Sequence, residues 1–126
     1  MCPERISSES TRLLIVLLVI SLSQLQVLGQ PPDVLNYPNV ISFGEFKGTI
    51  CYSNSVAVKT LTPITTRTFT FTPATAINYV ICYNNLILHP FETQLVGGGI
   101  GATTQTSIVL TSATGKLYAN CDVYCV

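Results

Sequence analysis

Charge is scarce in this sequence. Of its 126 residues only 10% are Asp, Glu, Lys or Arg, and six of each sign cancel to a formal charge of zero. An average soluble domain carries about 25% charged residues. Without a stripe of Lys and Arg, direct nucleic-acid binding lacks its electrostatic footprint. Tryptophan is absent, and methionine and histidine occur once each. A lone imidazole supplies no paired-histidine zinc site. Disorder needs low hydrophobicity or high net charge. This chain has neither, at 48% hydrophobic residues, so a long disordered tail is excluded and one domain is expected.

Catalytic patterns are equally sparse. No GxSxG nucleophile elbow occurs. The acidic residues beyond the N-terminal segment, Asp33, Glu45, Glu92 and Asp122, are scattered and pair only if the fold gathers them. His89 stands alone before Pro90 and reads as a solvated loop residue. Gly97-Gly98-Gly99-Ile100-Gly101 suggests a phosphate cradle, but no Gly-Lys-Ser/Thr and no helix follows. The glycines lead into a threonine-rich run, so they read as a turn or bulge needing positive φ. No Asn-x-Ser/Thr sequon occurs. This inventory gives no reason to expect an enzyme, a metal or a cofactor.

The one long apolar run is short for a membrane span. Leu13 to Leu22 read LLIVLLVISL, after Arg5 and Arg12 and before Ser23, Gln24, Gln26 and Gly29. A spanning helix needs about 20 apolar residues to cross roughly 30 Å of hydrocarbon. A basic start, a short greasy centre and a small-residue exit make a secretory signal peptide, assigned to residues 1–29. The expected cut follows Gly29, with one after Ser23 as the alternative; Gln30 or Gln24 then begins the chain. No stable membrane anchor is expected.

Of five cysteines, Cys2 leaves with that segment and Cys51, Cys82, Cys121 and Cys125 remain. An even count in an exported chain reads as two disulfides. Cys121 and Cys125 lie in a strand-like segment, where four residues span roughly 13 Å. A disulfide tolerates Cα atoms no more than about 7 Å apart. Each should therefore reach back, one to Cys51 and one to Cys82; a tail curled into a turn would restore a local bridge. A domain this small has a marginal core, so covalent staples are in keeping with it.

Residues 30–47 read as a proline-containing leader, because Pro31, Pro32 and Pro38 block helix and central strand alike. Strand signals fill residues 48–126. Runs of β-branched and aromatic residues cover Thr49–Ser53, Val56–Leu61, Thr68–Thr72, Ile77–Tyr83, Thr106–Thr111 and Leu117–Tyr124. Ser53-Asn54-Ser55 and Asn84-Asn85 read as turns. About six short strands without a helical period predict an all-β domain, a small antiparallel sandwich or partly open barrel. Neutral, threonine-rich strands also leave edge-to-edge dimers open, and the oligomeric state undetermined.

The order of these pieces resembles the multiprotein bridging factor two family, short insect proteins mostly with signal peptides. The resemblance runs from about Gly48 to Tyr124. It is carried by the strand Ile77-Asn78-Tyr79-Val80-Ile81, the cluster Gly98-Gly99-Ile100-Gly101, the strand Ile108-Val109-Leu110-Thr111-Ser112, the Gly115 turn and the closing Asp122-Val123-Tyr124. It implies no catalytic residues. It implies a transcription coactivator that bridges a DNA-bound regulator to the basal machinery, hence an unprocessed N-terminus and free thiols. The export signal and cysteine count instead predict a secreted, disulfide-held β protein that binds an extracellular protein or small ligand. A carrier of a small apolar ligand is a third expectation; so short a chain makes a roomy barrel hard to build.

Overall fold

The computed structural model describes residues 33–126. Residues 1–29, where a signal peptide is expected, with both expected cleavage positions and the start of the leader, lie outside the described residues. Among the described residues no helix is long and apolar enough to cross a membrane. A short 3-10 turn, Asp33–Asn36, precedes seven strands. They are β1 (Asn39–Gly44), β2 (Thr49–Lys59), β3 (Thr65–Phe71), β4 (Ile77–Asn84), β5 (Glu92–Gly97), β6 (Thr106–Ser112) and β7 (Lys116–Cys125).

Two antiparallel sheets pack as a sandwich. One has the order β1-β4-β7-β2 and the other β3-β6-β5. The sheets share no paired strand, so the barrel alternative does not hold among the described residues.

Side-chain alternation makes the layers. In β7, Leu117, Ala119, Cys121, Val123 and Cys125 are buried, while Tyr118, Asp122 and Tyr124 between them are half-exposed. A strand turns successive side chains to opposite faces, so this period of two gives one dry face and one wet one. β6 repeats the pattern with Thr106, Ile108, Leu110 and Ser112 inward. Of these, Ile108 and Leu110 join a core cluster with Phe69 of β3 and Val80, Ala119, Cys121 and Val123 of the other sheet. Each Ile, Leu or Phe so buried contributes about 1.5–3 kcal/mol of transfer free energy. β4 is buried almost throughout, Ile81 on its outer side included. It lies between β1 and β7, which accounts for its near-continuous apolar run.

Three differences from the sequence reading have physical causes. Ser53-Asn54-Ser55 is no turn: β2 runs unbroken through it, in register from Tyr52↔Val123 to Lys59↔Lys116. A polar triplet is tolerated there because β2 is an edge strand whose side chains at these positions are exposed. The leader also joins the domain. Residues 39–44 pair with β4 along their whole length as the opposite edge strand, with Pro38 just outside. Proline is disfavoured in central strands but harmless immediately before an edge strand. Finally, β5 begins two residues after Pro90 with a polar Glu-Thr-Gln start that carries little strand signal.

Candidate functional site

The cysteines pair across strands, as expected from the extended spacing of Cys121 and Cys125, and the local bridge between those two does not form. Cys51 bonds Cys125 with Cα atoms 5.7 Å apart, and Cys82 bonds Cys121 at 4.1 Å. Cys82 and Cys121 oppose each other directly in the β4–β7 ladder and have no exposed surface. Cys121 and Cys125 both face inward, four residues apart on one strand, and never meet. No thiol remains free among these four, and no three His, Cys, Asp or Glu side chains gather among the described residues.

The glycine cluster closes one end of the sandwich. Gly99 and Gly101 adopt φ of 82° and 86°, in the left-handed region that side chains avoid. Gly98 is needed for space instead. A Cβ there would lie 2.5 Å from Thr106 Oγ1 and 2.7 Å from Ala102 Cβ. The loop then docks on the start of β4: Gly101 N–H donates to Ile77 O at 2.7 Å and Ile77 N–H to Ala102 O at 3.0 Å. Gly98, Gly99 and Gly101 thus shape a turn.

Ile50, Val96, Ile100 and Val126 are exposed toward the glycine end, but the most exposed aliphatic side chains lie at the opposite end. The β2–β3, β4–β5 and β6–β7 connections converge there. Their side chains Leu61, Ile64, Ile87 and Leu88 are 106%, 66%, 76% and 77% exposed. Between them Ile64, Pro90, Phe91, Glu92, Thr111 and Ala113 line an open cleft of about 350 Å³. Lys59 and Lys116 oppose each other where β2 and β7 meet these loops.

Hydrogen bonds hold these loops in place. Thr60 N–H donates to Gly115 O at 2.8 Å, and Gly115 N–H donates to Pro63 O at 2.9 Å. Asn84, 4% exposed, is the central fastening of the β4–β5 loop. Its amide donates to His89 O at 2.9 Å and Tyr118 O at 2.7 Å, while its oxygen accepts from Leu86 N–H and Asn39 Nδ2. His89 Nδ1 lies 3.0 Å from Thr114 Oγ1, which ties two loops together. The sequence reading missed this surface. Its one signal is the triplet Leu86-Ile87-Leu88, apolar yet set between an Asn-Asn pair and His-Pro.

A second polar constellation sits on the outer face of the four-stranded sheet. Asp122 accepts from Ser53 Oγ at 2.6 Å and from Tyr83 OH at 3.1 Å. Burial, then the Asp122 charge and its hydrogen bond, push the Tyr83 phenol up to about 12. Burial and Asp122 also raise Tyr124. Tyr124 stands in an aromatic group with Phe46 and Tyr79, ring centres 5.0–5.8 Å apart. No imidazole joins this group, because His89 is bonded in the loops.

No family model, no curated protein and no solved structure matches this chain.

Proposed function

We propose that the chain is a small secreted β module that binds an apolar surface of an extracellular protein through its aliphatic loop end. One observation carries the binding reading. Four large aliphatic side chains stand in solvent on loops that hydrogen bonds keep in a defined arrangement. Exposed apolar surface on a fastened scaffold is the mark of an interaction site. Two disulfides support the compartment, since such bonds persist outside the cell and are rare in the cytosol and nucleus. The second reading, a coactivator bridging a DNA-bound regulator to the basal machinery, rests on the family resemblance.

Intact mass of the protein from expressing cells and from their medium, with and without reduction, separates the two. A species in the medium that gains two disulfides' worth of hydrogen on reduction supports the first. A full-length, reduced species confined to cells overturns it. A photo-crosslinking residue at position 87, compared with one at Thr68 on the three-stranded sheet, tests the surface. Adducts confined to position 87 support it, and equal or absent labelling at 87 sinks it.

A further inference from the structure

We infer that β2 is a self-recognition edge, and that two copies of the chain pair antiparallel about Asn54 to join their four-stranded sheets. This goes beyond the loop-end reading and uses a different surface.

Four strands form the sheet edges: β1, β2, β3 and β5. An open edge invites another strand, and proteins blunt such edges with short length, charge and proline. Three of the four are blunted here. β1 has six residues with Pro38 before it. β5 has six, starting at Glu92 and preceded by Pro90. β3 has seven, with Arg67 inside and Pro63 and Pro73 beside it. β2 has eleven residues, no proline, a single charge at its last position, Lys59, and one bulge at Cys51 near its start, which leaves Tyr52 to Lys59 regular.

The strand is also held ready. Cys51–Cys125 staples it to β7 near one end, and Thr60 N–H to Gly115 O closes the other. Preorganisation of this kind lowers the entropy lost on pairing. Thr60 N–H points toward β7, and alternation along an antiparallel strand then turns residues 53, 55 and 57 outward. Ser55 agrees: its N–H donates to the neighbouring Asn54 Oδ1 at 2.8 Å instead of to the ladder. That bond is a local cap which a second strand would replace.

The occupant follows from the residue pattern. About Asn54 the regular part of the strand reads nearly the same in both directions, Ser53 and Ser55, then Tyr52 and Val56, with the bulge at Cys51 just beyond. In a two-fold antiparallel pair these residues oppose one another, polar on polar and apolar on apolar. Ser53 and Ser55 of opposite copies exchange both backbone hydrogen bonds. Tyr52 and Val56, both half-buried in the monomer, cover each other across the join. The two Lys59 ammonium groups fall at opposite ends, about 33 Å apart at the usual strand rise. Strand pairing alone buries less than the ~1,200 Å² of a standard interface, so the dimer is expected to be weak and concentration-dependent.

Sedimentation equilibrium on the full chain, purified oxidised from expressing cells, reads the mass from micromolar to millimolar concentration. The expected result is a rise toward twice the monomer mass. Ser55→Pro removes an outward N–H that β7 does not use and should hold the protein monomeric at every concentration. Leu61→Ser, in the aliphatic loops, should leave the dimer unchanged. Independently of variants, amide exchange at Ser53, Ser55 and Ala57 should slow at least several-fold as concentration rises. A chain monomeric throughout the range overturns the inference. A dimer that survives in folded Ser55→Pro, or that is lost in Leu61→Ser, overturns it as well. Unchanged exchange at the three amides in a dimeric sample does the same.

Discussion

The two ends of the sandwich are built by different means. At the glycine end the chain turns on left-handed glycines and stacks loop backbone on the start of β4. Gly48 and the Cys51–Cys125 bond lie there as well, so that end is closed covalently. At the aliphatic end no disulfide helps. Side-chain amides and hydroxyls of Asn39, Asn84, Ser112 and Thr114 fasten the loops from inside. Leu61, Ile64, Ile87 and Leu88 are left to the solvent. A small domain has little core to spare, so aliphatic side chains kept out of it carry a cost in stability. The glycine end has a side-chain fastening of its own, the buried Thr106 hydroxyl between Gly99 N–H and Thr104 O, so the aliphatic end is set apart by what it exposes rather than by being fastened. The difference separates a part whose sequence serves closure from a part whose sequence serves presentation.

The sharpest way to break the contrast is to open the covalent end. Replacing Cys51 and Cys125 together by Ala should lower unfolding stability by about 2–4 kcal/mol, read from urea midpoints. Amide exchange should rise around Thr49, Cys125 and Gly48 and stay unchanged at Leu86 and His89. Equal loosening of both ends would erase the distinction. Next comes Gly98→Ala, whose new methyl would press on Thr106 Oγ1 and Ala102. It should destabilise by about 1–3 kcal/mol with no change at the aliphatic loops. Gly99→Ala meets no atom within 4 Å and should lose only about 1 kcal/mol, from backbone strain alone.

Asn84→Ala attacks the other end. It leaves His89 O and Tyr118 O without their donor and Leu86 N–H without its acceptor. Unpaired groups at a site this buried cost about 1–3 kcal/mol. Faster exchange should be confined to residues 85–91, the reverse of the disulfide result. Asn84→Asp keeps the acceptor and loses the donors, so it should not restore the wild-type exchange rates.

A smaller effect, expected between the ends, comes from the outer face. Burial, then Asp122, pushes the folded Tyr83 phenol up to about 12 from an ordinary 10.0, so the folded state holds its proton longer. A raised pKa contributes stability that is present below pH 10 and is lost as pH climbs toward 12. Urea midpoints should fall over that window. Tyr83→Phe should flatten the fall, with the raised Tyr124 supplying part of what remains. A slope unchanged in Tyr83→Phe would place the loss elsewhere.

Much of the fold was legible because strand periodicity is a strong signal. Leu117 to Tyr124 reads as a strand, and the extended reading sent Cys121 and the following Cys125 to partners on other strands, where the fold has them. β4 showed itself as an apolar run, and the glycine cluster as a turn. What stayed hidden lay at the sheet edges. β1 follows a proline, β5 opens with polar residues, and β2 carries a serine-asparagine-serine centre that a lone chain would use for turning. Each becomes a strand because a neighbour supplies its hydrogen bonds, a tertiary effect that local propensity does not carry. The aliphatic loop end was illegible for the opposite reason. Leu86-Ile87-Leu88 has core composition, and only the fold shows that Asn84 anchors the loop while these chains point out.

That inversion supplies the smallest prediction in energy and the one that most sharpens the contrast. In a core, an Ile or Leu changed to Ser loses several kcal/mol through transfer and cavity terms. Leu61 and Ile87 have almost nothing to lose, because their side chains already sit in water. Leu61→Ser with Ile87→Ser should therefore shift unfolding stability by no more than about 0.5 kcal/mol in either direction. The same pair should abolish crosslinking to a partner from position 88. Gly98→Ala should do the converse and lower stability while leaving that crosslink intact. If the double serine variant unfolds the domain, the loops are part of its closure and the two ends are alike. If it changes neither stability nor crosslinking, the exposed aliphatics are not the binding surface.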